Sequence, residues 1–157
     1  MMDIRARLLP HDDRVVALAQ SALDRSWLDR IDSDNGVFIT AEGLLMYLQP
    51  EDALALIADC AQRFPGGATM FDSIPPWFSA LTMRGLRLTR RYTAPPMPFP
   101  LTADQGVALA TKVPGVRRAR DIVLPPGRGL VATIGLRLAD RGVLHRLRPS
   151  ITLLEFG

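Results

Sequence analysis

Residues 36–48 read Gly-Val-Phe-Ile-Thr-Ala-Glu-Gly-Leu-Leu-Met-Tyr-Leu, and the architecture turns on how they are read. The stretch 37–41 is rich in β-branched and aromatic side chains and predicts a strand. Glu42 stands where that strand ends. Gly43 follows, and the chain turns apolar again at once with Leu44 and Leu45. A merely solvated loop would stay polar longer. Glycine also lets a ligand or another backbone approach closely. A carboxylate in such a place can accept hydrogen bonds from an ammonium or a hydroxyl.

Working outward, strand and helix signals alternate. Residues 5–9 read as the end of a helix, and 14–19 as a short strand after a charged turn. A short helix is expected over 26–31, where Trp27 and Ile31 stand four apart. Residues 50–64 give the clearest helix. Pro50 suits its first turn, Glu51 and Asp52 its positive end, and Leu54, Ile57, Ala58 and Ala61 form one apolar stripe. Pro65, Gly66 and Gly67 stop it. A third strand over 68–71 ends in Asp72. A helix over 75–88 carries Trp77, Phe78, Leu81 and Met83, and the proline-rich loop 94–100 caps one edge of a site. A helix over 102–111 with Thr102 as its cap, a strand over 118–124, a helix over 129–147 and a strand over 151–156 complete the reading. Strands separated by helices predict an α/β sandwich with a mostly parallel sheet and helices on both faces.

In a parallel sheet the ligand crevice lies beyond the carboxyl ends of the strands. Three such ends carry polar residues: 20–24, Glu42 and Asp72. Ordinary loop acids and helix caps would look the same, and for Asp72 the two readings balance. The apolar neighbours of Glu42 favour a ligand-facing role there. Tyr47, Trp77 and Phe78 could line a substrate pocket, although at helical spacing such residues serve more often as core.

The chain has 157 residues, of which 48% are hydrophobic and 22% charged. That is the size and composition of one globular domain. No apolar run reaches the length of a membrane-spanning helix. The N-terminus lacks the apolar stretch of a signal peptide. Cys60 is the sole cysteine, so no internal disulfide can form and a cytoplasmic location is expected. It lies mid-helix and reads as a small core residue. Residues 1–83 hold 6 basic and 12 acidic side chains, and residues 84–157 hold 13 and 4. A basic half invites a nucleic-acid reading. Its arginines are scattered and its aromatics few, so the expectation is against nucleic acid. His11, His145 and Cys60 share no metal-ligand spacing, and no metal site is expected.

With these residues in view, the sequence resembles a known family. "TAEGLLMYL" at 40–48, "RFPGG" at 63–67 and "FDSIP" at 71–75 resemble the leucine carboxyl methyltransferase-like family, most closely its bacterial branch of polyketide-type O-methyltransferases. "ALAQSALDRSWLDRI" at 17–31 is similar to the segment preceding this motif, and "SITLLEFG" at 150–157 is compatible with the last strand. The resemblance implies the Rossmann-like sandwich of class I methyltransferases, with an antiparallel last strand and S-adenosylmethionine as cofactor. It implies O-methyl transfer to a small natural-product-like acceptor. It places Glu42 at the cofactor and Ser21, Ala22 and Leu23 beside the adenine. The reading of strand ends and aromatic positions adds Tyr47, Asp72 and Trp77 as candidates for the substrate pocket. It assigns no catalytic base.

Two departures accompany the resemblance. Many relatives carry an acid where Ala22 stands, so backbone groups, Ser21 or Asp24 would have to read the adenine. The family's glycine-rich turn and ribose-binding acid have no counterpart either, since no glycine precedes Gly36. The chain therefore reads as the C-terminal part of such a domain, truncated and weakly active or inactive by itself. A non-catalytic remnant or interaction module of the same fold is the alternative. Without its first strands the sheet should expose an apolar surface, and homodimerisation or a missing N-terminal segment would cover it.

Overall fold

A computed structural model describes Leu8 and residues 13–123 and 147–157. The chain divides into two compact units, residues 1–32 and 33–157, each described by itself.

In the first unit, the expected strand over 14–19 does not form. Residues 15–19 are irregular, and Val15 and Val16 are exposed. β-Branched residues favour a strand only where a neighbour pairs with them and one face is buried. A 3-10 helix spans Arg25–Arg30, in the place where a short helix was expected. Its cap is Asp24, whose carboxylate accepts the Ser26 backbone N–H at 3.1 Å. The Ser26 hydroxyl and that N–H together hold the Asp24 carboxyl below its ordinary range.

The second unit is built on a four-stranded sheet. Its strands are β1 (Phe38–Ala41), β2 (Ala68–Ser73), β3 (Val116–Asp121) and β4 (Ser150–Phe156). The spatial order is β1-β2-β4-β3. β1 and β2 are parallel, with Ala41 beside Phe71. β4 is antiparallel to both β2 and β3. The last strand thus runs as the resemblance implied, but it separates β2 from β3. The sheet is mixed, and the expectation of a mostly parallel one is corrected: β4 supplies two antiparallel pairings against one parallel pairing.

The helices follow from local sequence. α1 (Pro50–Arg63) has Pro50 in its first turn, Glu51 and Asp52 at its positive end and Arg63 at its negative end. It buries Ala53, Leu56, Ile57, Cys60 and Ala61, so Cys60 is the small core residue its setting predicted. α2 (Pro76–Met83) is shorter than expected and ends at Arg84. The helix expected over 102–111 is two pieces, α3 (Ala103–Val107) and α4 (Leu109–Lys112). Thr102 caps α3 in a full capping box with Gln105. The helix expected over 129–147 lies outside the described residues except for Leu147, as do His11 and His145.

Among the described residues, one side of the sheet is more closely packed than the other. An added Cβ on Gly106 would press against the Thr152 side chain, 3.3 Å from Cγ2 and 3.4 Å from Cβ. This fixes α3 on the face of β4 that carries Thr152, Leu154 and Phe156. The β1-α1-β2 crossover and the β2-to-β3 crossover step across the sheet in the same direction. Right-handed crossovers stepping the same way place their helices on the same face, so α1 belongs there too. Burial agrees: Phe71 and Phe156 are 1% exposed and Leu154 is fully buried. On the opposite face Met70, Ile151 and Leu153 are only partly covered, and Phe38 is 60% exposed. Helices on both faces were expected, but these two crossovers share one.

Candidate functional site

The corner after β1 is the best-defined part of the site. At the end of the strand Gly43 adopts φ +56°, a left-handed conformation that side chains oppose. No atom lies within 4 Å of a Cβ built there. Glycine is needed at this corner for its backbone angle. The Gly43 N–H donates to the Asp72 carboxylate at 2.7 Å. Asp72 lies within β2, one residue beyond the Phe71 that pairs with Ala41. Adjacent parallel strands thus bring Glu42 and Asp72 to the same end of the sheet. Asp72 is used to fix the turn. Glu42 is exposed, and its carboxylate is available to an ammonium, a hydroxyl or a guanidinium.

Beyond the corner, a 3-10 turn at Leu45–Tyr47 leads toward α1. Leu45 and Met46 point inward, and Met46 joins Ile74 and Met97 in a small apolar cluster against which Phe78 packs. Tyr47 is 42% exposed, where packing had been the favoured reading. Trp77 is 48% exposed, contrary to the core role usual at helical spacing. Its ring stands edge-on to Phe78, with centroids 5.6 Å apart. Its indole N–H donates to the Leu147 carbonyl at 2.9 Å. Both aromatics therefore present surface beside the cluster.

The proline-rich segment is strapped across this floor. The Phe99 N–H donates to the Met46 carbonyl and the Leu101 N–H to the Ile74 carbonyl. Two buried hydroxyls hold it from α2. Ser79 Oγ donates to the Met97 carbonyl at 2.6 Å, and Thr82 Oγ1 accepts the Met97 N–H at 3.2 Å. Ser73 Oγ adds a bond to the Leu101 carbonyl at 3.3 Å. Met97 of this segment is itself a member of the apolar cluster. Sequence reading did not single out Ser73, Ser79 or Thr82. Small hydroxyl residues inside apolar runs look neutral until the carbonyls they serve are known.

Ser21, Ala22 and Leu23 belong to the first unit. Ser21 Oγ accepts the Leu23 N–H at 3.2 Å, and the Ser21 carbonyl accepts the Asp24 N–H at 3.1 Å. The Ala22 carbonyl accepts from both Arg25 Nη1 and Trp27 Nε1, each at 3.1 Å. The loop is thus well ordered by its own polar groups. The Asp24 carboxylate caps the 3-10 helix through the Ser26 N–H. Among the described residues, no cluster of His, Cys, Asp or Glu could hold a metal, and no helix is long and apolar enough to cross a membrane.

Comparison with known proteins bears on this geometry. No family model matches the chain. It is similar to the tetracenomycin polyketide synthesis O-methyltransferase TcmP of Streptomyces glaucescens, with 28% identity over 117 residues. That match takes in 74% of this chain but 42% of the relative, so the chain spans less than half the length of the protein it matches. Among solved structures, an O-methyltransferase family protein from Burkholderia thailandensis is similar over 89% of this chain and 35% of that one. The TM-score is 0.45 at 14% identity.

Proposed function

We propose that the chain forms part of an S-adenosylmethionine-dependent O-methyltransferase whose acceptor is a hydroxyl or carboxylate of a small polyketide-like molecule. The observation that carries this reading is the corner at the end of β1. There Asp72 takes up the Gly43 N–H at 2.7 Å and leaves the exposed Glu42 carboxylate beyond the carboxyl ends of two parallel strands, where ligands of such sheets bind. The similarity to a polyketide O-methyltransferase supports the same reading.

Glu42 fits the cofactor's ammonium or ribose hydroxyls, since a carboxylate accepts from both. When bound, the cofactor supplies an electrophilic methyl group for in-line displacement. The protein's part is to hold the acceptor oxygen in line and, for a hydroxyl acceptor, to take its proton. Tyr47 and Trp77, half-exposed beside the Met46 cluster, would form the acceptor's apolar wall.

Residues 1–157 contain no glycine before Gly36, where the resemblance expects a glycine-rich turn and a ribose-binding acid. Each contact of that kind is worth on the order of 1.5–3 kcal/mol. Two or three fewer weaken binding by roughly 10²–10⁶-fold. This favours a second reading for the chain by itself, a non-catalytic module retaining one wall of the site. Titration calorimetry with S-adenosylmethionine separates them. Micromolar binding that disappears in Glu42→Ala establishes the cofactor site in this chain. Binding untouched by Glu42→Ala removes Glu42 from the site. No heat of binding leaves the module reading for residues 1–157.

A further inference from the structure

Residues following α2 form a tight hairpin that the proposed site does not use. The Ala94 N–H donates to the Leu86 carbonyl at 2.8 Å, and the Leu88 and Thr89 N–H groups donate to the Tyr92 carbonyl at 3.0 and 3.2 Å. Arg87 and Thr93 pair across it. At its tip the Arg91 N–H donates to Thr89 Oγ1 at 3.2 Å, and Arg87 Nη2 donates to the Arg90 carbonyl at 3.0 Å. The last bond draws the Arg87 guanidinium to the tip beside Arg90 and Arg91. All three side chains and Arg84 are exposed. No Asp or Glu occurs between Asp72 and Asp104, and no described carboxylate forms an ion pair with any of these four arginines. Leu88 and Tyr92, at the neck, are each 54% exposed.

The second basic cluster behaves differently. Arg120 pairs with Glu155 at 2.7 Å, and Arg117 and Arg118 each lie 3.8 Å from the same carboxylate. That cluster has an acidic partner of its own.

We propose that the 84–94 hairpin is a docking surface for another protein that presents clustered carboxylates around apolar residues. Three observations support this occupant. Residues 77–92 hold Trp, Phe, Tyr, Met and four Arg but no Lys, Asp or Glu, the bias found at the centre of protein interfaces. Guanidinium forks bind carboxylates in pairs of hydrogen bonds. The hairpin is ordered by its own hydrogen bonds, so little conformational freedom is lost on docking. A lipid surface fits less well, because the tip residues Thr89, Arg90 and Arg91 are polar and the apolar pair sits behind them. A nucleic acid would find only Tyr92 for stacking on the hairpin.

The test uses the full chain and fluorescence anisotropy. The probe is a labelled amphipathic peptide alternating Glu with Leu, alongside its Gln counterpart, a short DNA duplex and phosphatidylserine-containing vesicles. The Glu peptide should bind, more weakly as salt rises, and the Gln peptide should not. R90A/R91A, which leaves the Arg87 bond to the Arg90 carbonyl intact, should weaken binding several-fold, and R87A/R90A/R91A about tenfold. R117A/R118A should stay within about twofold of the parent. Circular dichroism confirms that each variant is folded. No binding of the Glu peptide, equal losses in the hairpin and R117A/R118A variants, or tighter hairpin-dependent binding of DNA or vesicles would overturn the proposal.

Discussion

The two faces of the sheet are made by the same four strands, yet they have different fates. On one, Phe71, Thr152, Leu154 and Phe156 are sealed beneath α1 and α3. On the other, one residue away along each strand, Met70, Ile151 and Leu153 keep part of their surface, and Phe38 keeps most of it. Apolar character does not separate the faces, since both are rich in it. What separates them is the direction in which the crossovers step. Two right-handed connections moving the same way can cover only one side. Burial here is a property of topology, which hydrophobicity only permits.

Substitutions can break or sharpen that contrast. Phe156→Ala should have the largest effect, a loss of about 3–5 kcal/mol in urea unfolding, because it empties a sealed site. A loss under 1 kcal/mol would mean that the packed face is not the core. Gly106→Ala tests the α3 contact directly. Its new methyl group would press on Thr152, costing about 1–3 kcal/mol. Thr152 Oγ1 has no hydrogen-bond partner among the described residues, so adding Thr152→Ala should recover much of that loss. A double variant no better than the single one would place the strain elsewhere.

Asp72→Ala sits at the border of the two faces and removes the acceptor for Gly43. A loss of about 1 kcal/mol is expected, with Asp72→Asn milder because it keeps an oxygen at the corner. Equal losses for the two would show that charge matters more than the bond. Phe38→Ala should be the smallest, within about 0.5 kcal/mol. If it rivals Phe156→Ala, the face called open is covered in solution, and light scattering would show whether a second molecule covers it.

The sequence was most legible where local chemistry and burial agree. α1 could be read almost to its ends, because Pro50, its acids and its apolar stripe all follow from its own geometry. β1, β2 and β4 were found as apolar runs between turn signals. The failures share a cause. Residues 15–19 have strand composition but no strand pairing, and α2 stops early although apolar residues continue beyond it. The mixed sheet depended on where β4 inserts, a long-range fact that no window of residues contains. At the site, Glu42 and Asp72 were visible as polar residues at strand ends. That Asp72 would hold the turn depended on a hydrogen bond spanning 29 positions of sequence.

The irregular pairing between Val116 and Arg118 has a consequence for how molecules of this protein meet. It sets two consecutive arginines opposite Glu155 on an outer strand, and a third follows at Arg120. A bulged, cationic border offers a poor template to an incoming extended chain, which would have to match a broken ladder and bring its own backbone past three guanidiniums. The opposite border, β1, is four residues long and carries no charge. Edge-to-edge growth of the sheet, the usual first step toward fibrous aggregates, is thereby discouraged on one side by electrostatics and irregularity. Among the described residues of this unit, the shortness of β1 opposes it on the other side.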